Sequence, residues 1–413
     1  MAEHIPSLDR VPRIERRARQ IDDPVSRLRY LRKEMSVARA RTAVAGHRRR
    51  VPQVRHLVWL AIPVVMAIWS GPASKSIKET VARERGLLVP RADSGWETAP
   101  VAQVWRVEHS DSTDVYSNGL RVDLTFGVNN RPRAHYPIYA LVGASQAVTT
   151  GAAPVGIVYH TTESHLAPFE EDENRRLKQL GRNLLETIRM EHAYHYVIDR
   201  FGRVFAVVAE SDAANHVGNS VWADARGIYV NLNDSFIGVS FEGQTGSPDE
   251  VTPAQVASGR VLTEMLRSRY GIAPEDCVTH AQVSVNPGNM LIGSHVDWAG
   301  NFPFREMGLP DNYSIPLPSI YAFGFGYDDS FLRATGFSWK GLELAANQVQ
   351  RQAALEGLEV ARYRAILRHR YKDIAADLKQ QGAQEASAST SGAAKAPPGS
   401  VVRHSNKTSQ GVI

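Results

Sequence analysis

The sequence predicts an α/β domain, helices packed on a central sheet, over residues 151–309 of a 413-residue chain. Three observations carry this. Short apolar runs at 156–159 and 237–241 alternate with amphipathic helical stretches, the pattern of a sheet covered by helices. The turn sequence Arg200-Phe201-Gly202-Arg203 separates two β-rich runs, 196–199 and 204–208, and marks a hairpin. One helix carries both of its boundary signals, Thr252-Pro253 at the start and Gly271 after Tyr270. Length alone allows two or three domains.

Residues 1–56 read as a basic arm. They hold 15 Lys/Arg against 6 Asp/Glu, a net +9 in a chain whose total is +5, which leaves −4 for residues 57–413. The positive charge is local, so the rest of the chain has no electrostatic reason to bind a polyanion, and nucleic acid is excluded as a partner. Residues 57–74 carry no charge, and 57–69 (LVWLAIPVVMAIW) are almost wholly apolar. They predict a single-pass membrane anchor, oriented by Arg48–Arg50 and Arg55 so that residues after 75 lie outside the cytoplasm, on the periplasmic or extracytoplasmic side. A buried core helix or a cleaved signal region are the alternatives. The run is short for a span, and Pro63 interrupts it.

Residues 91–150 predict a small β extension, with a hairpin over 101–127 around the turn-rich Asp111–Gly119. Within 151–309, residues 173–190 place Leu177, Leu180, Leu184 and Ile188 on one helical face. Residues 310–382 are mostly helical, with a long helix or helix pair over 342–378. From 383 onward the Ala/Ser/Thr/Gly/Pro composition predicts a disordered tail. The single cysteine, Cys277, rules out a disulfide framework and a thiolate zinc cluster.

Four histidine patterns bear chemistry. His160 ends an apolar strand, where side chains leave the core and face a crevice. His280 follows another apolar step, His295 precedes Asp297 in a loop of Gly, Asn and Pro, and His195 leads into the hairpin. Two histidines and a carboxylate can hold zinc with one position left for water. No His-Glu-x-x-His helix occurs, so a zincin protease has no support.

In order, these residues resemble the type 2 N-acetylmuramoyl-L-alanine amidases, which share a fold with the peptidoglycan recognition proteins. The landmarks are Ile157-Val158-Tyr159-His160, Tyr194-His195 before the Asp199-Arg200-Phe201-Gly202 turn, and His216-Val217-Gly218. They continue with Asn233-Asp234-Ser235-Phe236-Ile237-Gly238, Thr252-Pro253-Ala254-Gln255, His280 and Asp297. The resemblance implies a mixed central sheet with flanking helices, Zn2+ held by His160, His280 and Asp297, and peptidoglycan or muropeptides as substrate. It implies proton transfer by Tyr194 or an acidic residue. The strand position of the family's glutamate is Ser240, so Glu242, two residues on, is the acidic candidate, with Glu163 as a further one. The family's oxyanion lysine is replaced by His295, which could donate to the oxyanion or displace Asp297 from the metal. His195 and His216 would line the substrate groove or serve the fold, and no pattern supports His165 or His192. The implied activity is zinc-dependent hydrolysis of the amide between N-acetylmuramic acid and L-alanine. A non-catalytic peptidoglycan receptor and a membrane-anchored envelope scaffold are the alternatives.

Overall fold

The computed structural model describes residues 101–133, 135–143, 145–246 and 251–393, with side chains to residue 382. The chain divides into two units, Met1–Ala73 and Ser74–Ile413; the first lies outside the described residues. The anchor expected over 57–74 is corrected here. Among the described residues no helix is long and apolar enough to cross a membrane, and 57–74 lie outside them. As a helix at about 1.5 Å per residue, 57–69 would cover about 20 Å of a hydrocarbon core about 30 Å thick. The anchor, the membrane partner and the extracytoplasmic placement that rested on it are withdrawn.

The strands are, in order, β1 (Arg106–His109), β2 (Thr113–Tyr116), β3 (Arg121–Asp123), β4 (Tyr136–Tyr139) and β5 (Ala147–Gly151). Then come β6 (Gly156–Thr161), β7 (Tyr196–Ile198), β8 (Val204–Ala206), β9 (Val221–Asp224) and β10 (Gly227–Val230). The last are β11 (Phe236–Phe241), β12 (Cys277–Thr279), β13 (Val285–Asn286) and β14 (Leu291–Ile292). An eight-stranded mixed sheet runs β1-β2-β3-β8-β7-β11-β6-β12, and β4, β5, β9 and β10 build a second, four-stranded sheet. The hairpin expected over 101–127 is a three-stranded meander that extends the edge of the large sheet through β3, parallel to β8. The second sheet had no local signal, because β9 and β10 are buried throughout most of their length and show no alternation.

Strand β6 is buried at all six positions and runs parallel to β11 and β12 on its two sides, which is why it reads as a continuous apolar run. Its alternate residues divide the core. Ile157 and Tyr159 face helix α2 (Pro253–Tyr270), where the Tyr159 hydroxyl lies 2.7 Å from Thr263 Oγ1. Val158 packs on the opposite face, against Tyr136, Trp222 and Tyr229 of the small sheet. On that same face helix α1 (Asn174–Glu191) covers β7 and β8 through Leu185, Ile188, Val197 and Phe205. His160 follows Val158 by two residues and so emerges on the face covered by α1 and the small sheet.

Helix α2 starts and stops where its residues require. Thr252 Oγ1 accepts from the Gln255 amide at 3.1 Å and Gln255 Oε1 from the Thr252 amide at 3.1 Å, a complete capping box. Gly271 closes the helix at φ +65°. After β12 comes a single turn, α3 (His280–Val283), followed by α4 (Pro318–Tyr321), α5 (Asp329–Thr335), α6 (Lys340–Leu355) and α7 (Val360–Ala393). The long helical stretch is a pair, broken at Gly357 with φ +66°. α7 continues to Ala393, past the expected start of the tail. Residues 394–413 lie outside the described residues.

Beneath the small sheet, Trp222 Nε1 donates to Asp276 Oδ1 at 2.9 Å, and burial, aided by Asp224, pushes the Asp276 carboxyl up to about 7. The folded state therefore holds that proton more tightly than the unfolded chain, whose carboxyl titrates near 3.9, so stability falls as pH rises from about 4 to about 7. Asp276→Asn keeps an acceptor for Trp222 and removes the ionisation. Urea unfolding should show the variant gaining on wild type by up to about 2–3 kcal/mol between pH 5 and pH 8. A constant difference across that range would disprove the assignment.

Candidate metal centre

Three side chains converge at the C-terminal ends of the parallel strands. His160 is the penultimate residue of β6 and pairs in register with Ser240 of β11. His280 opens α3 directly after β12, and Asp297 follows on the loop after β14. The Asp297 carbonyl accepts from the Ala281 amide at 3.2 Å, which ties that loop to α3.

His160 Nδ1 lies 3.1 Å from His280 Nδ1 and 3.3 Å from Asp297 Oδ2, and His280 Nδ1 lies 2.9 Å from Asp297 Oδ1. All three residues are buried and form a group able to hold a metal ion. A zinc tetrahedron with bonds of about 2.0–2.1 Å has edges of about 3.3 Å, close to these separations. Burial, reinforced by the His280 ring, pushes His160 down to about 4 against the pull of Asp297, so its ring is neutral at pH 7. Burial alone would raise the Asp297 carboxyl, but the His160 and His280 rings hold it well below the usual carboxylate range. A neutral imidazole and an ionised carboxylate are the donor forms that zinc requires.

The groups around the cluster are equally defined. His160 Nε2 and His216 Nδ1 are 3.1 Å apart, leaving His160 Nδ1 to face His280 and Asp297. His216 is placed by Asn233, whose Oδ1 accepts from the His216 and Val217 amides at 3.2 and 3.0 Å. Its ring occupies the space a side chain at Gly238 would fill, since a Cβ there would lie 2.6 Å from it. Tyr194, at φ +54°, sets its ring 5.0 Å from that of His160. Burial, with the Asp297 and Glu163 carboxylates, pushes its hydroxyl up to about 12. The His295 ring stacks on His280 at 4.5 Å and 15°, exposed and outside the converging group, while Ser284 Oγ fixes its backbone. Burial and the His280 ring lower His295.

Glu242 is not with them. β11 ends at Phe241, so strand alternation does not carry on to residue 242. Its Oε2 accepts from the Arg200 amide at 3.1 Å and its carboxylate lies against Gly181 of α1. Burial raises this carboxyl, opposed by the Arg200 amide. Ser240 holds the place beside His160. His195 is fully buried, its Nδ1 accepting from the Gly238 amide at 3.0 Å and its Nε2 donating to the Asp212 carbonyl at 3.1 Å. Both of its nitrogens are engaged, one holding β11 and the other the loop at Asp212. The Glu163 carboxylate ties its loop to Thr245, accepting from that amide at 2.8 Å. His192 is the left-handed cap of α1, and His165 is exposed. Sequence reasoning missed Asn233 and Gly238 as supports of His216, although both stand in the motif that contains them.

No curated protein matches the chain. Among solved structures it resembles the N-acetylmuramoyl-L-alanine amidase LysC from Clostridium intestinale URNW, at 21% identity over 44% of this chain and 92% of that one, TM-score 0.24. It also resembles the N-acetylmuramyl-L-alanine amidase AmiD from E. coli, solved with anhydro-N-acetylmuramic acid-L-Ala-D-gamma-Glu-L-Lys, at 21% over 48% and 65%, TM-score 0.29. The Drosophila peptidoglycan recognition protein SD resembles it at 15% over 38% and 79%, TM-score 0.23. Residues 150–295 match the family described as N-acetylmuramoyl-L-alanine amidase.

Proposed function

We propose that the chain is a zinc-dependent amidase hydrolysing the amide between N-acetylmuramic acid and L-alanine of peptidoglycan. The observation that carries this is the convergence of His160 Nδ1, His280 Nδ1 and the Asp297 carboxylate at the ends of β6 and β12. These three residues would hold the ion. Zinc there supplies Lewis acidity, lowering the pKa of water and polarising the scissile carbonyl. Tyr194, its ring beside that of His160 and its hydroxyl kept protonated, would donate a hydrogen bond to the attacking water or the leaving amine. His295 carries a ring N–H in either protonation state and can offer it to the developing oxyanion. His216 keeps His160 turned with Nδ1 toward the cluster.

One observation favours a second reading, a peptidoglycan receptor without turnover. The strand position beside His160 bears the hydroxyl of Ser240, and the carboxylate of Glu242, just past the end of β11, is spent on the Arg200 amide. Digestion of purified sacculi by the full chain separates the two. Mass spectrometry should find stem peptides with a free L-alanine amino group, and a zinc chelator should abolish their release. Binding to sacculi without released peptide would establish the receptor instead.

A further inference from the structure

Residues 310–355 lie beyond the family match, yet they close on the loop that bears Asp297. The Tyr313 hydroxyl donates to the Trp298 carbonyl at 2.8 Å and accepts from the Phe302 amide at 3.2 Å. The indole of Trp339 is fully buried, and its Nε1 donates to the next carbonyl, Ala299, at 3.0 Å. The two rings lie 4.8 Å apart at 31°, so one aromatic pair grips two consecutive carbonyls. Those carbonyls belong to an unfavourable turn. Trp298 stands at φ +57°, a left-handed conformation that a bulky L-residue adopts only when its surroundings impose it. A Cβ at Gly300 would lie 2.7 Å from the Thr335 carbonyl, so the turn has no room to shift toward α5.

We propose that Tyr313 and Trp339 are positioning residues for Asp297. By holding the Trp298–Ala299 turn they aim the Asp297 carboxylate at His160 and His280, which makes the C-terminal helical region part of the metal centre. This rests on the metal-site reading of that cluster. Packing alone would be served by the rings; what the proposal adds is a requirement for the Tyr313 hydroxyl and the Trp339 N–H.

The test uses the full chain and two metal probes, zinc in competition with a chromophoric chelator and cobalt(II) followed by its visible absorption. Tyr313→Phe keeps the ring and removes the hydroxyl. Tyr136→Phe is the control, since it loses the same kind of bond, hydroxyl to the Ala153 carbonyl, on the small sheet. Trp339→Phe removes the second donor, at the cost of a cavity. Tyr313→Phe should weaken zinc binding by about 10–100-fold and alter the cobalt(II) spectrum, as expected when the support of a ligand is lost. Tyr136→Phe should change neither, and Trp339→Phe should act in the same direction as Tyr313→Phe. A cobalt(II) spectrum unchanged in Tyr313→Phe, with or without weaker zinc binding, overturns the proposal. A wild-type chain that takes up neither metal overturns it together with the metal-site reading, a result seen before any variant is made.

Discussion

Replacing His160 or His280 with alanine should strip the chain of zinc and, with it, of the proposed amidase activity. Each residue supplies one of three converging donors, and two donors left in a buried pocket compete poorly with water. Structural zinc sites bind with about 10–16 kcal/mol, so each of four ligands is worth about 2.5–4 kcal/mol, or ~10²–10³ in affinity. The loss should be larger at His160, which is fully buried and also keeps its contact with His216. Metal analysis of the purified chain checks this directly. Because His160→Ala leaves a cavity at a fully buried position, His280→Ala, on the turn after β12, serves as the independent variant. Stoichiometric zinc in either at wild-type affinity would contradict the ligand assignment.

How far the sequence disclosed this site follows from the range of each interaction. His160 and His280 were legible because both end short apolar strands, a pattern confined to a few neighbouring residues. The capping of α2 was legible for the same reason, since Thr252, Pro253 and Gln255 act on one another directly. Glu242 was misplaced because the i, i+2 rule holds only inside a strand, and β11 stops one residue short of it. His195 and His216 look alike in sequence. The fold separates them, burying one ring against the Gly238 amide and setting the other against His160. The pairing of β3 with β8, the small sheet and the grip of Tyr313 and Trp339 on the Asp297 loop depend on partners far along the chain, and no local pattern announces them. The apolar run at 57–69 shows the opposite failure, a strong local signal that composition alone turned into an anchor.

The loop pair His295 and Asp297 separates geometry from sequence most sharply. From sequence alone either residue could be the third ligand. In the fold Asp297 approaches both histidines, at 2.9 and 3.3 Å, whereas the His295 ring lies flat on His280 with 4.5 Å between centroids. A stacked ring presents its face to its neighbour, and its nitrogens lie in a plane nearly parallel to that of His280, outside the converging group. Asp297→Ala should therefore lose zinc, because it removes both a donor and the negative charge that offsets the cation. His295→Ala should retain zinc close to wild-type affinity while turnover falls by about 10²–10³, the usual effect of losing one oxyanion donor. That fall should appear in kcat with KM little changed, since the interaction forms only as the transition state develops. Loss of His295 also uncovers one side of His280, which allows up to about a 10-fold drop in affinity without loss of the metal at stoichiometric loading. Metal content and kinetics measured on the two variants side by side decide the matter. Zinc retained in Asp297→Ala and lost in His295→Ala would reverse the two roles.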